Sequence, residues 1–363
     1  MNIKSNIITA RPSELADLAA IAFASNQLFF LVGDGGAAKT SIACKVLPDA
    51  LNMPLWGGKP INLAGMAGTE VTGYGNPQPD GVTMKFYAPD IWPTIERVGD
   101  EHWLVCLDEL PDYSTEVRAM LRGLTPSSGA ACVGPHQLGP NVRFVVTGNL
   151  RSSGTRAVVE DAPFTSRCCK VLIEPNVADW LDWYDSQPNL LASGSHVPAF
   201  LKFGAANDDW FCPAVAMPYD GAPHPTPRGW EAVAKAEPFR QKSPSLFDKY
   251  VAGVVGLRAA SAFAGFLAHV NRLPDIASLK ANPESFTVPA DPAAQYGLVS
   301  ACLAVALRGV DKPEIAVHAG EFDWLASLLL RVRGDIREFG AQAAVKRGIP
   351  LDCHKNSAEL LIG

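Results

Sequence analysis

Long hydrophobic runs are missing from this 363-residue sequence. Its most extended apolar stretches, such as Leu298 to Leu307, fall well short of the ~20 residues needed to cross a bilayer, so no membrane insertion is expected. The start, Met1-Asn2-Ile3-Lys4-Ser5-Asn6, lacks the apolar core of a secretion signal. A positive charge excess is lacking too. With 31 Lys and Arg against 37 Asp and Glu, the net charge is −6, which argues against a surface built to neutralise nucleic-acid phosphates or anionic lipid, a local basic pocket aside. Eight cysteines include no CxxC pair and several lie in apolar runs, a usage that suits buried reduced thiols better than a disulfide framework. Zinc held by Cys168, Cys169, Cys212 and a histidine is the minor alternative. Repeats and low-complexity tracts are absent as well. The expectation is a soluble, cytoplasmic protein that folds throughout, since a 48% hydrophobic fraction against 19% charged residues supplies ample core.

What is present falls into two textures, as the length suggests for two domains. Residues 11 to 25 have helical spacing of Ala, Leu and Ile. Continuous apolar runs then recur at Leu28 to Val32, Ile61 to Leu63, Trp103 to Leu107, Val142 to Val146 and Lys170 to Ile173. Such runs mark strands buried on both faces, and the helical patterns between them, at Thr40 to Leu51 and Ser114 to Leu124, imply a parallel sheet covered on both sides. Past Glu174 no strand-like run of that quality appears. A helix over 177–186 opens this region, a Gly/Asn/Pro-rich loop runs to about Pro225, and helices are expected near 228–236, 246–270, 294–308 and 321–344. The fold class is thus α/β, a parallel-sheet core of three layers over 1–175, followed by an all-α domain over 176–363. Trp180, Trp183 and Trp230 read as core of the second region.

The stretch Gly33-Asp34-Gly35-Gly36-Ala37-Ala38-Lys39-Thr40-Ser41 stands directly after a buried strand and before a helix. Small residues let a chain curl with its N–H groups inward on phosphate oxygens, and a helix N-terminus favours the negative charge. In that pattern Lys39 reaches the β and γ phosphates of ATP and Thr40 ligates Mg²⁺. Ala38 occupies a position that the strict pattern gives to glycine. If its φ is helical, the methyl is tolerated and adds about 1 kcal/mol of helix propensity.

A second acidic element completes such a site, and Asp108-Glu109 ends the strand Trp103 to Leu107. Asp108 then holds Mg²⁺ through its water shell, and Glu109 takes the proton of, or orients, the attacking water. A third strand, Val145-Val146-Thr147-Gly148-Asn149, ends in an amide on the edge where ligands of parallel sheets collect. Asn149 is placed to position that water from the side opposite Glu109.

In this order of motifs the sequence resembles the AAA+ ATPases, and within them the MoxR-type and dynein-related (midasin-like) branch, where a P-loop ending Ala-Lys-Thr is familiar. Thr69-Glu70-Val71-Thr72-Gly73-Tyr74, Leu107-Asp108-Glu109-Leu110 and Pro140 to Asn149 carry the likeness. It is specific from about residue 10 to 175 and persists over Pro225 to Glu231. The resemblance implies that Asn149 is the sensor-1 residue and that Arg167 is an arginine finger acting on the neighbouring subunit, with Arg151 and Arg156 as rivals. It further implies that Arg228 is sensor 2 at the start of a lid helix, with Thr226 as its N-cap. Cys168 departs from the family, which usually has an aromatic after the finger.

Two long loops, Ala64 to Pro93 and Thr125 to Pro140, are placed either to touch a client or simply to pack, the second with the look of a hairpin. The resemblance implies a homo-oligomer, a hexameric ring, working with a von Willebrand A domain partner on a protein client. Nucleic acid is disfavoured as a partner. The competing readings are a P-loop phosphotransferase acting on a small molecule and a nucleic-acid-stimulated motor.

Overall fold

The computed structural model describes residues 7–125, 130–149, 162–203, 210–213, 221–270, 276–306, 310 and 313–361. They form two compact units, the first running through Pro175 and the second from Asn176 onward.

The first unit is built on a five-stranded sheet whose spatial order is β1 (Ile8–Ala10), β9 (Cys168–Ile173), β2 (Leu28–Gly33), β8 (Val142–Asn149), β5 (Trp103–Leu107). Every pairing in it is parallel. Side chains alternate across the pleat, so each strand feeds two cores. Leu28, Phe30, Val32, Val105, Leu107, Phe144 and Val146 bury on one face. Phe29, Leu31, Leu104, Cys106, Val145 and Val171 bury on the other, beneath the helix Leu15–Ala24 and Ile42, Ala43 and Leu47 of the segment after the phosphate loop. Helices over both faces make the three layers expected from the sequence.

Several elements differ from expectation. Ile61 to Leu63 is not a strand: Ile61 makes only a bridge to Leu107, and the Asn62 side chain accepts the Ala64 N–H, which turns the chain away. The segment after the phosphate loop starts as an α-helix at Lys39–Ser41, widens to π geometry over Ile42–Val46 and returns to α over Leu47–Leu51. Pro48 offers no N–H to a regular ladder, and the chain before it bonds five residues back, from Leu47 N–H to Ile42 O. The segment Ala64 to Pro93 is not bare loop. It holds the helix Gly68–Thr72 and an antiparallel hairpin of β3 (Tyr74–Pro77) and β4 (Met84–Tyr87), with Tyr74, Met84, Phe86 and Tyr87 exposed. A second small hairpin, β6 (Cys132–Val133) with β7 (His136–Gln137), precedes β8.

The second unit contains no strand among the described residues. Its core gathers Trp180, Phe200, Trp230, Phe263, Leu298, Phe322 and Leu329, and the buried indoles of Trp180 and Trp230 donate to the carbonyls of Pro227 and Trp210. Two expected long helices are broken. Gly256, at φ +81°, separates Pro244–Val255 from Leu257–Val270, and a Cβ there would meet the Pro223 carbonyl oxygen at 2.4 Å. Between Asp323–Arg331 and Gly334–Lys346 the chain is extended, because the buried Gln295 captures the Arg333 N–H at 3.0 Å. The stretch expected as loop before Pro225 contains the helices Pro188–Leu191 and Val197–Phe203. No helix among the described residues is long and apolar enough to cross a membrane.

Candidate nucleotide site

Strands β2, β8 and β5 lie side by side and run the same way, so their C-terminal ends share one edge of the sheet. Gly33 is level with Asn149, and Leu107, the residue before Asp108, is level with Val146. Register alone therefore brings the phosphate loop, the acidic pair and the strand-ending amide together.

Beyond Gly33 the chain curls tightly, with the Ala37 N–H donating to Asp34 O at 3.3 Å and Gly36 at φ +80°. A Cβ on Gly35 would meet nothing within 4 Å, so packing inside the chain does not require a glycine there. Lys39 is 8% exposed, and its Nζ donates to Gly33 O (3.1 Å), Asp34 O (2.9 Å) and Asn149 Oδ1 (2.8 Å). A buried ammonium must have acceptors, and here the loop supplies them. Ala38 overturns the expected helical φ. It sits in the left-handed region at φ 64°, ψ 15°, immediately before the first helical residue. The loop's curvature decides the backbone there, and the methyl carries strain of about 1 kcal/mol rather than a propensity gain.

Thr40 and Asp108 meet directly, with Thr40 Oγ1 donating to Oδ1 at 3.0 Å and reaching Oδ2 at 3.2 Å. Thr147, fully buried, donates its hydroxyl to Asp108 Oδ1 and accepts the Glu109 N–H at 3.1 Å. Tyr113 closes the back of the turn, donating to the Asp108 carbonyl at 2.9 Å. Burial raises the Tyr113 phenol above its ordinary value, so it stays a donor. Glu109 itself is exposed and holds a left-handed backbone at φ 59°, ψ 41°. Non-glycine residues in that region persist where the surroundings over-determine them, often at functional sites. Thr147 and Tyr113 escaped the sequence reading. A threonine inside an otherwise apolar strand run was the available signal for the first; Tyr113 gave none.

The remaining residues are spread more widely. Ser41 is exposed on the first helical turn. Arg167 precedes β9 at the opposite end of the strands from the phosphate loop: its carbonyl accepts the Leu28 N–H, and its guanidinium donates to Arg122 O at 3.2 Å. The length of β2, which runs from Leu28 to Gly33, separates it from the phosphate loop, roughly 17 Å at the usual rise. Arg228 is exposed on the first turn of Pro227–Ala236 in the second unit, where Thr226 Oγ1 caps the helix by accepting the Gly229 N–H at 3.0 Å. Arg151 and Arg156 lie outside the described residues. Among the described residues no three His, Cys, Asp or Glu side chains gather as a metal centre. The Thr40 and Asp108 oxygens instead form a hard two-ligand set, of the kind that serves Mg²⁺ when waters and phosphate oxygens complete the shell.

No family model matches the chain, and no curated protein matches it. Two crystal structures of NtrX from Brucella abortus align with it at 14% identity. The one in complex with ADP does so with a TM-score of 0.38, over 86% of this chain and 68% of that one. The other has a TM-score of 0.31, over 89% and 68%. Likeness this loose leaves the site to be read from its own residues.

Proposed function

We propose that the first unit binds ATP with Mg²⁺ and hydrolyses it, as an AAA+ ATPase of the MoxR-type branch. The observation that carries this reading is the meeting of Lys39, Thr40, Asp108 and Asn149 at adjacent strand ends, where a tight glycine-rich loop turns into a helix. When bound, ATP supplies the anhydride to be cleaved and Mg²⁺ the positive charge that offsets its oxygens. The chain does the rest. Lys39 holds phosphate by charge, and Thr40 and Asp108 hold the cation, Asp108 through its water shell. Glu109 takes the proton of the attacking water, and Asn149 keeps Lys39 in place while orienting that water.

Arg167 is assigned to a neighbouring subunit's nucleotide, since it stands a strand length from its own phosphate loop. By family resemblance Arg228 is assigned the sensor-2 role. Hydrolysis in a ring, a hexamer by family resemblance, then drives remodelling of a protein client together with a von Willebrand A domain partner. The exposed aromatics of the β3–β4 hairpin are the face we assign to that client.

The experiment is ATP turnover per subunit against protein concentration, with mass in solution measured alongside. Turnover should rise with assembly, and Glu109→Gln should slow it at least tenfold, about 1.4 kcal/mol of barrier, while leaving ATP binding intact. Flat turnover in a persistent monomer would reject the shared site and favour a phosphotransferase acting on a small molecule.

A further inference from the structure

The helix Pro244–Val255 presents two apolar faces where one is enough. Phe247, Val251 and Val255, spaced by four, bury in the core of the second unit. On the other side Leu246 and Tyr250 remain 63% and 41% exposed, followed by Leu257 at 78% and preceded by Phe239 at 64%. On Pro244–Val255 itself, Leu246, Tyr250 and Gly253 recur at four and three residues and share one face of the helix, and Leu257 opens the next helix beyond the turn at Gly256. The protein's own core makes no use of this seam. The surrounding sequence is cationic: from Phe239 to Arg258 the chain carries Arg240, Lys242, Lys249 and Arg258 against the single carboxylate Asp248. Among the described residues Arg240, Lys242 and Lys249 enter no ion pair, and Lys242 lies 5.8 Å from the Phe239 ring centre. This is a local reversal of sign in a chain of net charge −6.

Gly253 adds a second observation. It is interior to the helix, has ordinary helical backbone, and a Cβ built on it would meet nothing within 4 Å. A glycine there costs about 1 kcal/mol against alanine, and nothing inside the chain requires it. A notch midway along an exposed seam suits the close passage of another backbone.

We infer that this seam docks an acidic amphipathic α-helix of a protein partner. Its apolar residues seat among Leu246, Tyr250 and Leu257, its backbone crosses at Gly253, and its carboxylates face Arg240, Lys242, Lys249 and Arg258. A lipid surface has no use for the notch, and a phosphate backbone offers nothing to Leu246 and Leu257. The surface lies within the second unit and does not depend on the ATPase reading.

The test titrates the full chain with a labelled synthetic helix of about 16 residues, leucines on one face and glutamates elsewhere, beside a twin carrying lysines for the glutamates. Saturable, salt-sensitive binding of the acidic helix alone is expected. It should weaken about tenfold in Lys242→Glu/Lys249→Glu and again in Leu246→Ser. Gly253→Leu should block it while melting temperature and ATP turnover hold. Equal binding of the lysine twin, indifference to the charge reversals, or no saturable binding up to about 1 mM would overturn the inference. Phosphatidylserine vesicles that bind in place of the peptide, and are lost with the same reversals, would move the surface to a membrane. A fall in mass on Leu246→Ser with peptide binding unchanged would give it to a second copy of the chain.

Discussion

Ala38 and Glu109 hold left-handed backbone at the two turns that make the site, one before the first helical residue and the other after a strand. Each is strained by its own side chain. At Ala38 the methyl can be removed without touching any donor, so Ala38→Gly should raise stability by about 1 kcal/mol in chemical denaturation. Thr147 is the residue whose loss should matter without disturbing the fold, because its hydroxyl alone joins Asp108 to the Glu109 backbone. Thr147→Val keeps the shape and removes the partner of the partly buried Glu109 N–H, a cost of about 1 kcal/mol. We expect turnover to fall tenfold or more, and Thr147→Ser to restore it. The cysteines sort by environment. Burial pushes the Cys302 thiol up to about 12, whereas the Cys106 thiol, donating to Cys44, holds Cys44 below the usual value. A maleimide should therefore label Cys44 and the exposed Cys353 first, and Cys302 only on unfolding, as peptide mass spectrometry would read.

Elements were legible where local pattern and tertiary demand agree. The buried strands and the phosphate loop follow from residue type and spacing. Two misread segments depend on distant partners, Gln295 capturing Arg333 and Pro223 crowding Gly256; the third is stopped from pairing by a local turn at Asn62 that an asparagine in an apolar run could have signalled. Propensity gives no view of such partners. Gly256→Ala meets both a left-handed backbone and the Pro223 carbonyl, and should cost about 1–3 kcal/mol, a drop in melting temperature of several degrees. In the same unit Asp323 pins the C-terminal stretch by accepting from Lys355 at 2.6 Å and from His354 Nε2 at 2.8 Å. Those hydrogen bonds hold its carboxyl below the usual 3.8. A lowered folded value means that the clamp contributes fully above the ordinary value and fades as pH falls through the lowered one. Asp323→Asn should melt earlier than the parent chain at pH 7, and the gap should close only as pH is taken below 3.8.

At the scale of the molecule, Arg167 and the phosphate loop occupy opposite ends of the same parallel strands. If Arg167 serves a neighbour's nucleotide, as proposed, copies of the chain can join only head to tail, an arrangement that either closes on itself or runs on as a filament. Inheritance in such an assembly is directional. A copy without Lys39 spoils its own site and still serves the next, whereas a copy without Arg167 keeps its own site and starves its neighbour's. Chains bearing Lys39→Ala and chains bearing Arg167→Ala, each inactive alone, should on equal random mixing recover about a quarter of the parental turnover, since a working site needs one of each in the right order. Two dead chains regaining activity would show the strand polarity of a single sheet written into the order of the whole assembly.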